Sequence, residues 1–593
     1  MSKTKKIHTI LLLLILILFI TIISFSFAAF TTRITNSETT STLITGSGVM
    51  QITFEGGEHL NAPDIIPSND PFVTKTFTLT GVNSTEEIMN YHLILKMETN
   101  TFRDSALAYT LSSNNVNNNG KTVPSKTDIT GIKSGTREIF LGNGYFEGTN
   151  IEDKVHSYTL KLYFPLIENF DHTIDQNKEF SAKIEIKEGE VYPGYNHDKG
   201  VNHPVLFTGM TPIKWDENND EIETTETDSD WYDYDEKRWA NAKSADGSYW
   251  VWIPRYAYKI ESCYHTSAED CENLTGKQAG NINIKFLKST TNITEDNTLI
   301  ESTGYEAHIK DTSLHHFLHP AFQFNGEELG FWVAKFEPTA AEGIESGKVD
   351  SECDLLDNVS TKTIKIVPNK TSWRCININN SYFNSINMRN KSLYGWQPHE
   401  LDSHMMTNHE WGAVAYLSKS QYGAHEEEVW INNSSSVLTG CAGNSASASE
   451  TSGCQNRYDT ENGQKASTTH NIYGVYDMSG GAWERVMANL NNLSGNSGFL
   501  TQDFLNIEPR YINKYEENNG IVYGDAVYET SNAAPSINSW YINYSRFTTL
   551  SLPWTLRGGA FNYGGGSGLF AYHFNSYAVS YNHTFRPILT PLK

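Results

Sequence analysis

Positive charge is the scarcest resource of this 593-residue chain: 45 lysines and arginines stand against 69 aspartates and glutamates, a formal net charge of −24. Affinity for nucleic acid comes largely from clustered Lys and Arg, and no basic patch appears, so a phosphate-backbone partner is excluded. Cysteine is also sparse. There are six, none before Cys263 and none in C-x-x-C spacing, which leaves no signature of a structural zinc site. His409-Glu410 lacks the second histidine of H-E-x-x-H, which removes the zinc-protease motif at that position. Long apolar runs are confined to the N-terminus, where Lys3, Lys5 and Lys6 precede Ile10 to Ile23, interrupted by Thr21, and then Ser26-Phe-Ala28. That order is the pattern of a secretory signal peptide over residues 1–29. Counted from Ile7 to Phe30, the segment is also long enough for a membrane anchor. Either reading predicts export, to the extracellular space or the cell surface.

The six cysteines fit export. They fall in near pairs, Cys263 with Cys271, Cys353 with Cys375 and Cys441 with Cys454, and an oxidising compartment makes three local disulfides the expectation. A chain of this length holds more than one core. The fold class expected is multidomain, mainly β followed by α+β. Residues 30–195 contain period-two runs: Leu93, Leu95 and Met97 alternate with His92, Ile94 and Lys96, and Tyr158, Leu160, Leu162 and Phe164 with Thr159, Lys161 and Tyr163. Such alternation marks half-buried antiparallel strands and predicts a β-sandwich, with turns at Asn114 to Gly120 and Gly142-Asn-Gly144. Residues 196–593 form the second domain. Within it, 216–236 is acidic and poor in aliphatic residues, which predicts a solvated insertion. Trp252, Tyr256 and Tyr258 are expected to pack in a core, and Thr407 to cap a helix with Glu410 completing a capping box. His315, His316 and His319 are expected in a surface turn.

Four landmarks appear in order in the C-terminal part. They are Gly330-Phe-Trp-Val-Ala-Lys-Phe-Glu337, Met406-Thr-Asn-His-Glu-Trp-Gly-Ala-Val-Ala-Tyr416, Asn471-Ile-Tyr-Gly-Val-Tyr-Asp-Met-Ser-Gly-Gly-Ala-Trp-Glu-Arg485, and Arg557-Gly-Gly-Ala-Phe561 closed by Thr584-Phe-Arg-Pro587. Together they resemble the formylglycine-generating, sulfatase-modifying family, whose fold is a decorated C-type lectin fold. The oxidases of that family bind copper through two cysteines just beyond the R-G-G motif. The matching stretch here, 560–568, has none, so the resemblance points to a non-catalytic branch. It also implies structural calcium, held by the side chains of Asp477 and Glu484 and the carbonyls of Gly480 and Ala482. Two departures, Gly481 for the usual Asn and Arg485 for an aromatic residue, leave an ion-paired structural turn as the alternative. The N-terminal entry, with Thr45-Gly-Ser-Gly-Val-Met-Gln-Ile-Thr53, weakly resembles camelysin-type surface proteins.

Between the last two motifs, Asn562 to Thr584 interleaves Asn, Tyr, Ser and His with glycine and small apolar residues. The stretch resembles the variable region of retroelement-diversified receptors. Its expected ligand-binding residues are Asn562, Tyr563, Tyr572, His573, Asn575, Tyr577, Tyr581 and Asn582, with Phe570 and Phe574 in the core. Tyrosine gives large contact area at low entropic cost, and Asn and Ser adapt their hydrogen bonds. The function expected is therefore an exported adhesin or receptor that binds a cell-surface glycan or protein and carries out no catalysis. The alternative is a structural fibre or matrix subunit working through the sandwich.

Overall fold

The computed structural model describes residues 41–42, 50–55 and 60–61, and residues 65–592 apart from short stretches, chiefly 84–87, 168–171, 267–278, 301–314, 518–521, 532–537 and 576–578. The expected signal or anchor helix, Cys271 and Tyr577 lie outside the described residues. The chain divides into two compact units, Met1–Pro193 and Gly194–Lys593.

In the first unit two antiparallel sheets share one core. One sheet sets Met50–Glu55, Ser68–Asn83, Asn150–Phe164, Leu107–Asn115 and Lys126–Ile132 side by side, with Ser41–Thr42 at its edge. The other runs Leu60–Asn61, Phe180–Glu188, Met89–Asn100, Glu138–Phe146. Alternate residues of both meet between them: Phe77, Leu79, Leu160 and Leu162 from the first, Leu93, Leu95, Ile184 and Ile186 from the second. This is the sandwich that a period of two dictates when one side of each strand is apolar. The turn expected at 142–144 is instead the middle of the Glu138–Phe146 strand. Gly142 takes φ 142° at a register shift opposite Leu93 and Ile94, and a Cβ there would stand 2.6 Å from Val123 Cγ1. Glycine here makes a bulge, not a reversal.

The second unit holds two larger sheets and the helix Asn408–Lys419. Seven strands run in the order Glu221–Glu223, Thr211–Trp215, Asn241–Lys243, Tyr249–Pro254, Gly330–Ala334, Pro587–Pro591, Leu401–Met405. Trp252, Tyr256 and Tyr258 are buried, as their clustering predicts. The helix has Thr407 as N-cap, and Thr407 and Glu410 form the expected capping box. Glu410 also accepts from His404 Nε2 at 2.7 Å. Two carboxylates, Glu410 and Asp402, outweigh burial and raise His404 to about 9, so a cationic imidazole ties the cap to the neighbouring strand.

Two expectations change. The acidic segment 216–236 is exposed along most of 216–230, as expected, but is not an unstructured loop: it includes the strand Glu221–Glu223, and its carboxylates meet lysines that flank it. Asp228 takes Lys214 Nζ at 2.6 Å, and Glu221 takes Lys243 Nζ at 2.7 Å and the Tyr249 hydroxyl at 2.6 Å. Trp231, Tyr232 and Tyr234, at its end, are buried. His319 is likewise not in a surface turn. Its ring is fully buried against Tyr256 at 5.3 Å and Tyr258 at 5.2 Å, and burial pushes its pKa well down. Cys353–Cys375 and Cys441–Cys454 are disulfides, and Cys263 is disulfide-bonded. No helix among the described residues is long and apolar enough to cross a membrane.

Candidate functional site

The second sheet of this unit sets Asn513–Tyr515, Trp483–Leu490, Trp554–Arg557 and Tyr572–Asn575 in a row, with His583–Phe585 also paired to Trp483–Leu490. Register puts Glu484 opposite Arg557, and Arg557 opposite Tyr572. Leu556 stands opposite both Arg485 and His573. Successive residues of a strand face opposite ways, so the sheet has an inner face bearing Glu484, Arg557 and Tyr572, and an outer face bearing Trp483, Arg485, Leu556 and His573.

The inner face is a closed polar network. Arg586 pairs with Glu484 through two hydrogen bonds, one of them Nε to Oε2 at 2.8 Å, and donates to the carbonyls of Ala334 and Tyr476 at 2.6 and 3.0 Å. Asp477 accepts from the backbone N–H of Glu337 at 3.1 Å, Asn432 Nδ2 at 2.8 Å and the Gly440 N–H at 2.9 Å. Glu337 accepts from the Ala482 N–H at 2.8 Å and meets the Ser372 hydroxyl. The oxygens of Asp477 and Glu484 expected on calcium therefore face protein donors, and Arg586 supplies the positive charge that the ion would bring. The Gly480 and Ala482 N–H groups bond to the Gly558 carbonyl and to Glu337. Among the described residues no group of three His, Cys, Asp or Glu is placed to hold a metal. With three buried carboxylates and Arg586 paired to Glu484, burial together with Asp477 and Glu484 holds the Glu337 carboxyl well above its usual range.

Arg557 is fully buried and donates to Asn408 Oδ1 and to the carbonyls of Asp525 and Ala526, each at 3.0 Å. Its guanidinium carbon lies 5.4 Å from the Trp411 ring centroid and 5.8 Å from that of Tyr572. Tyr572 is thus a buried member of this network and not the exposed ligand-binding tyrosine that its neighbours in sequence suggest. Phe570 is buried, as expected, whereas Phe574 is only half-buried.

The outer face is different in kind. Trp483 is covered by Tyr563, ring centroids 5.3 Å apart and planes at 84°, and by His573 at 5.7 Å. Tyr544 completes the group, 5.1 Å from His573 in a stacked arrangement and 6.0 Å from Tyr563. Tyr563 remains 43% exposed, and Tyr544 and His573 are half-buried. The strap carrying Tyr544 is tied down on both sides. Its N–H donates to the Gly566 carbonyl at 2.8 Å, its carbonyl accepts from Tyr572 at 3.0 Å, and the Arg546 N–H donates back to Tyr572 at 2.9 Å.

Below Tyr563, the Gly564–Gly566 turn is open. A Cβ on Gly565 would find nothing nearer than Ser447 Oγ at 3.6 Å. Gly568, by contrast, takes φ 154° where a Cβ would stand 2.2 Å from Asn543 Oδ1, so glycine is required where the turn rejoins the core.

Of the remaining expected residues, Asn562 is exposed and Tyr581 and Asn582 are half-buried. Tyr581 is fixed by its backbone: its N–H reaches Asp350 at 2.9 Å and its carbonyl takes Arg374 Nη1 at 2.5 Å. Its ring lies 6.3 Å from that of Phe561. Burial raises the Tyr581 phenol above its ordinary value, with Asp350, Glu450 and Tyr563 adding to the shift. Asn575 ends its strand, and its side chain is outside the described residues, as is Tyr577.

Trp483, Tyr544, Arg546 and Ser447 belong to the face and do not stand out in the sequence. Trp483 could have been found by alternation from Glu484, and Tyr544-Ser-Arg546 carries a period of two. Nothing in the sequence places Ser447 beside Gly565. No family model matches the chain, and comparison with known proteins and with solved structures finds none similar to it.

Proposed function

We propose that the protein is an exported, surface-displayed binding protein, and that the 194–593 unit recognises a cell-surface glycan or protein through the outer face formed by Trp483, Tyr544, Tyr563, His573 and Tyr581. The observation that carries this reading is the four-ring group with Tyr563 half-exposed above a side-chain-free glycine turn. Interlocked rings with few torsions lose little entropy on binding, and buried-edge aromatics are the residues that dominate binding energies. The strap and the sheet hold the rings before any ligand arrives, which lowers the cost of association. The disulfides Cys353–Cys375 and Cys441–Cys454 suit the oxidising environment met by an exported chain. The test is binding of the full chain to a panel of intact cells and immobilised polysaccharides. Tyr563→Ala should lower affinity at least tenfold with an unchanged melting temperature, and undiminished binding by the folded variant overturns the reading.

A further inference from the structure

We infer, building on the binding face proposed above, that the ligand is an acidic carbohydrate and that Arg546 reads its anionic group. The first observation is one of charge. From Thr530 to Lys593 the chain contains no aspartate or glutamate, although the whole carries −24. The same stretch supplies Arg546, Arg557, Arg586 and Lys593, with His573 and His583. Two of these arginines are accounted for in the interior, Arg586 by Glu484 and Arg557 by Asn408 and two carbonyls.

Arg546 is not. Its side chain is exposed, and among the described residues its guanidinium makes no hydrogen bond or ion pair. It rests with its central carbon 5.8 Å from the Tyr544 ring centroid, two residues along the strap and on the same side. Its charge is felt by His573, whose pKa is depressed by burial and then by Arg546, against a rise from the Phe574 carbonyl. Behind these stands Arg485, buried and donating to His583 Nδ1 at 3.2 Å. His573 Nδ1 lies 2.6 Å from the Phe574 carbonyl, which can only accept, so Nδ1 carries a proton.

The carboxylates bordering the face are Glu428, Asp350 and Glu450, the last two beside Tyr581. Glu428 accepts from Asn543 Nδ2 at 3.2 Å, Asp350 from Ser580 and Tyr581 at 2.8 and 2.9 Å, and Glu450 lies on the Tyr581 side. An anion seated at the Tyr544 side of the face therefore meets the Arg546 guanidinium first, while burial and Arg546 keep the neighbouring His573 imidazole neutral. The planar guanidinium fork matches carboxylate, sulfate or phosphate through paired hydrogen bonds.

The rings argue for a sugar beside that anion. Tyr563, Tyr544 and His573 offer electron-rich faces to the electropositive C–H edge of a pyranose, over an open glycine floor. The overall charge of the protein repels polyanions at a distance, so retention of one has to come from local cations.

The test uses the full chain and four probes of matched length: dextran, carboxymethyl dextran, dextran sulfate and poly-glutamate. The parent is expected to bind both charged dextrans about tenfold or more tightly than dextran, the ratio a charge-assisted pair supplies. Arg546→Gln should reduce that ratio to near one, Arg546→Lys should restore part of it, and Tyr563→Ala should weaken all saccharides alike. A parent that binds no dextran, or binds dextran as well as its charged forms, overturns the inference. So does an Arg546→Gln variant that keeps the preference, or poly-glutamate bound as tightly as carboxymethyl dextran. Failure of the acidic preference with Tyr563→Ala still abolishing cell binding removes this inference alone. Cell binding unaffected by Tyr563→Ala removes the face itself.

Discussion

The two sides of the Trp483–Leu490 sheet are made by the same strands and do opposite things. On the inner side Glu484, Arg557 and Tyr572 are buried, with Glu484 locked to Arg586 and Arg557 donating to four oxygens. On the outer side Trp483 and His573 carry a ring group that ends in the exposed Tyr563 and in Arg546, whose guanidinium has no hydrogen bond or ion pair among the described residues. A one-residue step along a strand is thus enough to move a side chain from the buried polar network to the ring group. The inner face is closed throughout, whereas the outer face is buried at Trp483, Arg485 and Leu556 and opens at Tyr563 and Arg546. That division is what a binding head requires.

The comparison is broken most severely from the inner side. Arg586→Ala leaves Glu484 a buried, unpaired carboxylate and should cost about 3 to 5 kcal/mol, read from the denaturant midpoint. Phe570→Ala, a fully buried ring against Trp540, should cost about as much for a different reason, a cavity. Tyr572→Ala should also cost several kcal/mol, about 3 or more if it behaves as a core aromatic.

A pH measurement sharpens the inner side further. The Glu337 carboxyl is held above its unfolded value by burial and by Asp477 and Glu484. A carboxyl raised in the folded state binds its proton more tightly there than in the unfolded chain. Its contribution to stability is fully present below the unfolded pKa, about 4.3, and is lost as pH rises through the folded value. Glu337→Gln, which keeps the shape without the ionisation, should flatten that loss, so that the variant gains on the parent as pH increases. A parent whose stability is flat over this range, or a variant that falls in parallel with it, contradicts the assignment.

The outer side should respond in binding and not in stability. Tyr563→Ala is expected to remain within about 0.5 kcal/mol of the parent in unfolding, as surface changes do. Its loss in affinity should be about 2 kcal/mol or more if it is a hot spot. The smallest effect belongs to Gly565→Ser. With 3.6 Å of clearance to Ser447 and no left-handed φ, it should shift stability by less than about 0.5 kcal/mol.

Much of the secondary structure was legible because it depends on local period. The strands around Leu93–Met97 and Tyr158–Phe164, the buried Trp252–Tyr258 run, and the Thr407 cap with Glu410 all follow from residues within a few positions of each other. What the sequence does not show is which side chains the folded strands bring together. In the acidic 216–236 segment, Asp228 and Glu221 meet Lys214 and Lys243 across neighbouring strands. His319 looked exposed because the rings that bury it include Tyr416. Tyr572 was grouped with His573 by composition, where strand alternation separates them. The outer face was half visible: Asn562 and Tyr563 stood out, whereas Tyr544, Arg546 and Trp483 reach it from other strands and loops. At Asp477 and Glu484 the motif shows the carboxylates but not their partners: Arg586 lies 102 positions from Glu484, and Asn432 lies 45 positions from Asp477.

The most direct test of the account measures two variants, Tyr563→Ala and Tyr572→Ala, side by side in the full chain for unfolding and for binding to the cells and polysaccharides that the parent recognises. The account predicts a folded Tyr563→Ala protein whose affinity is lowered at least tenfold and a strongly destabilised Tyr572→Ala protein. A Tyr563→Ala protein that is unfolded, or that binds as the parent does, contradicts it, and so does a Tyr572→Ala protein as stable as the parent.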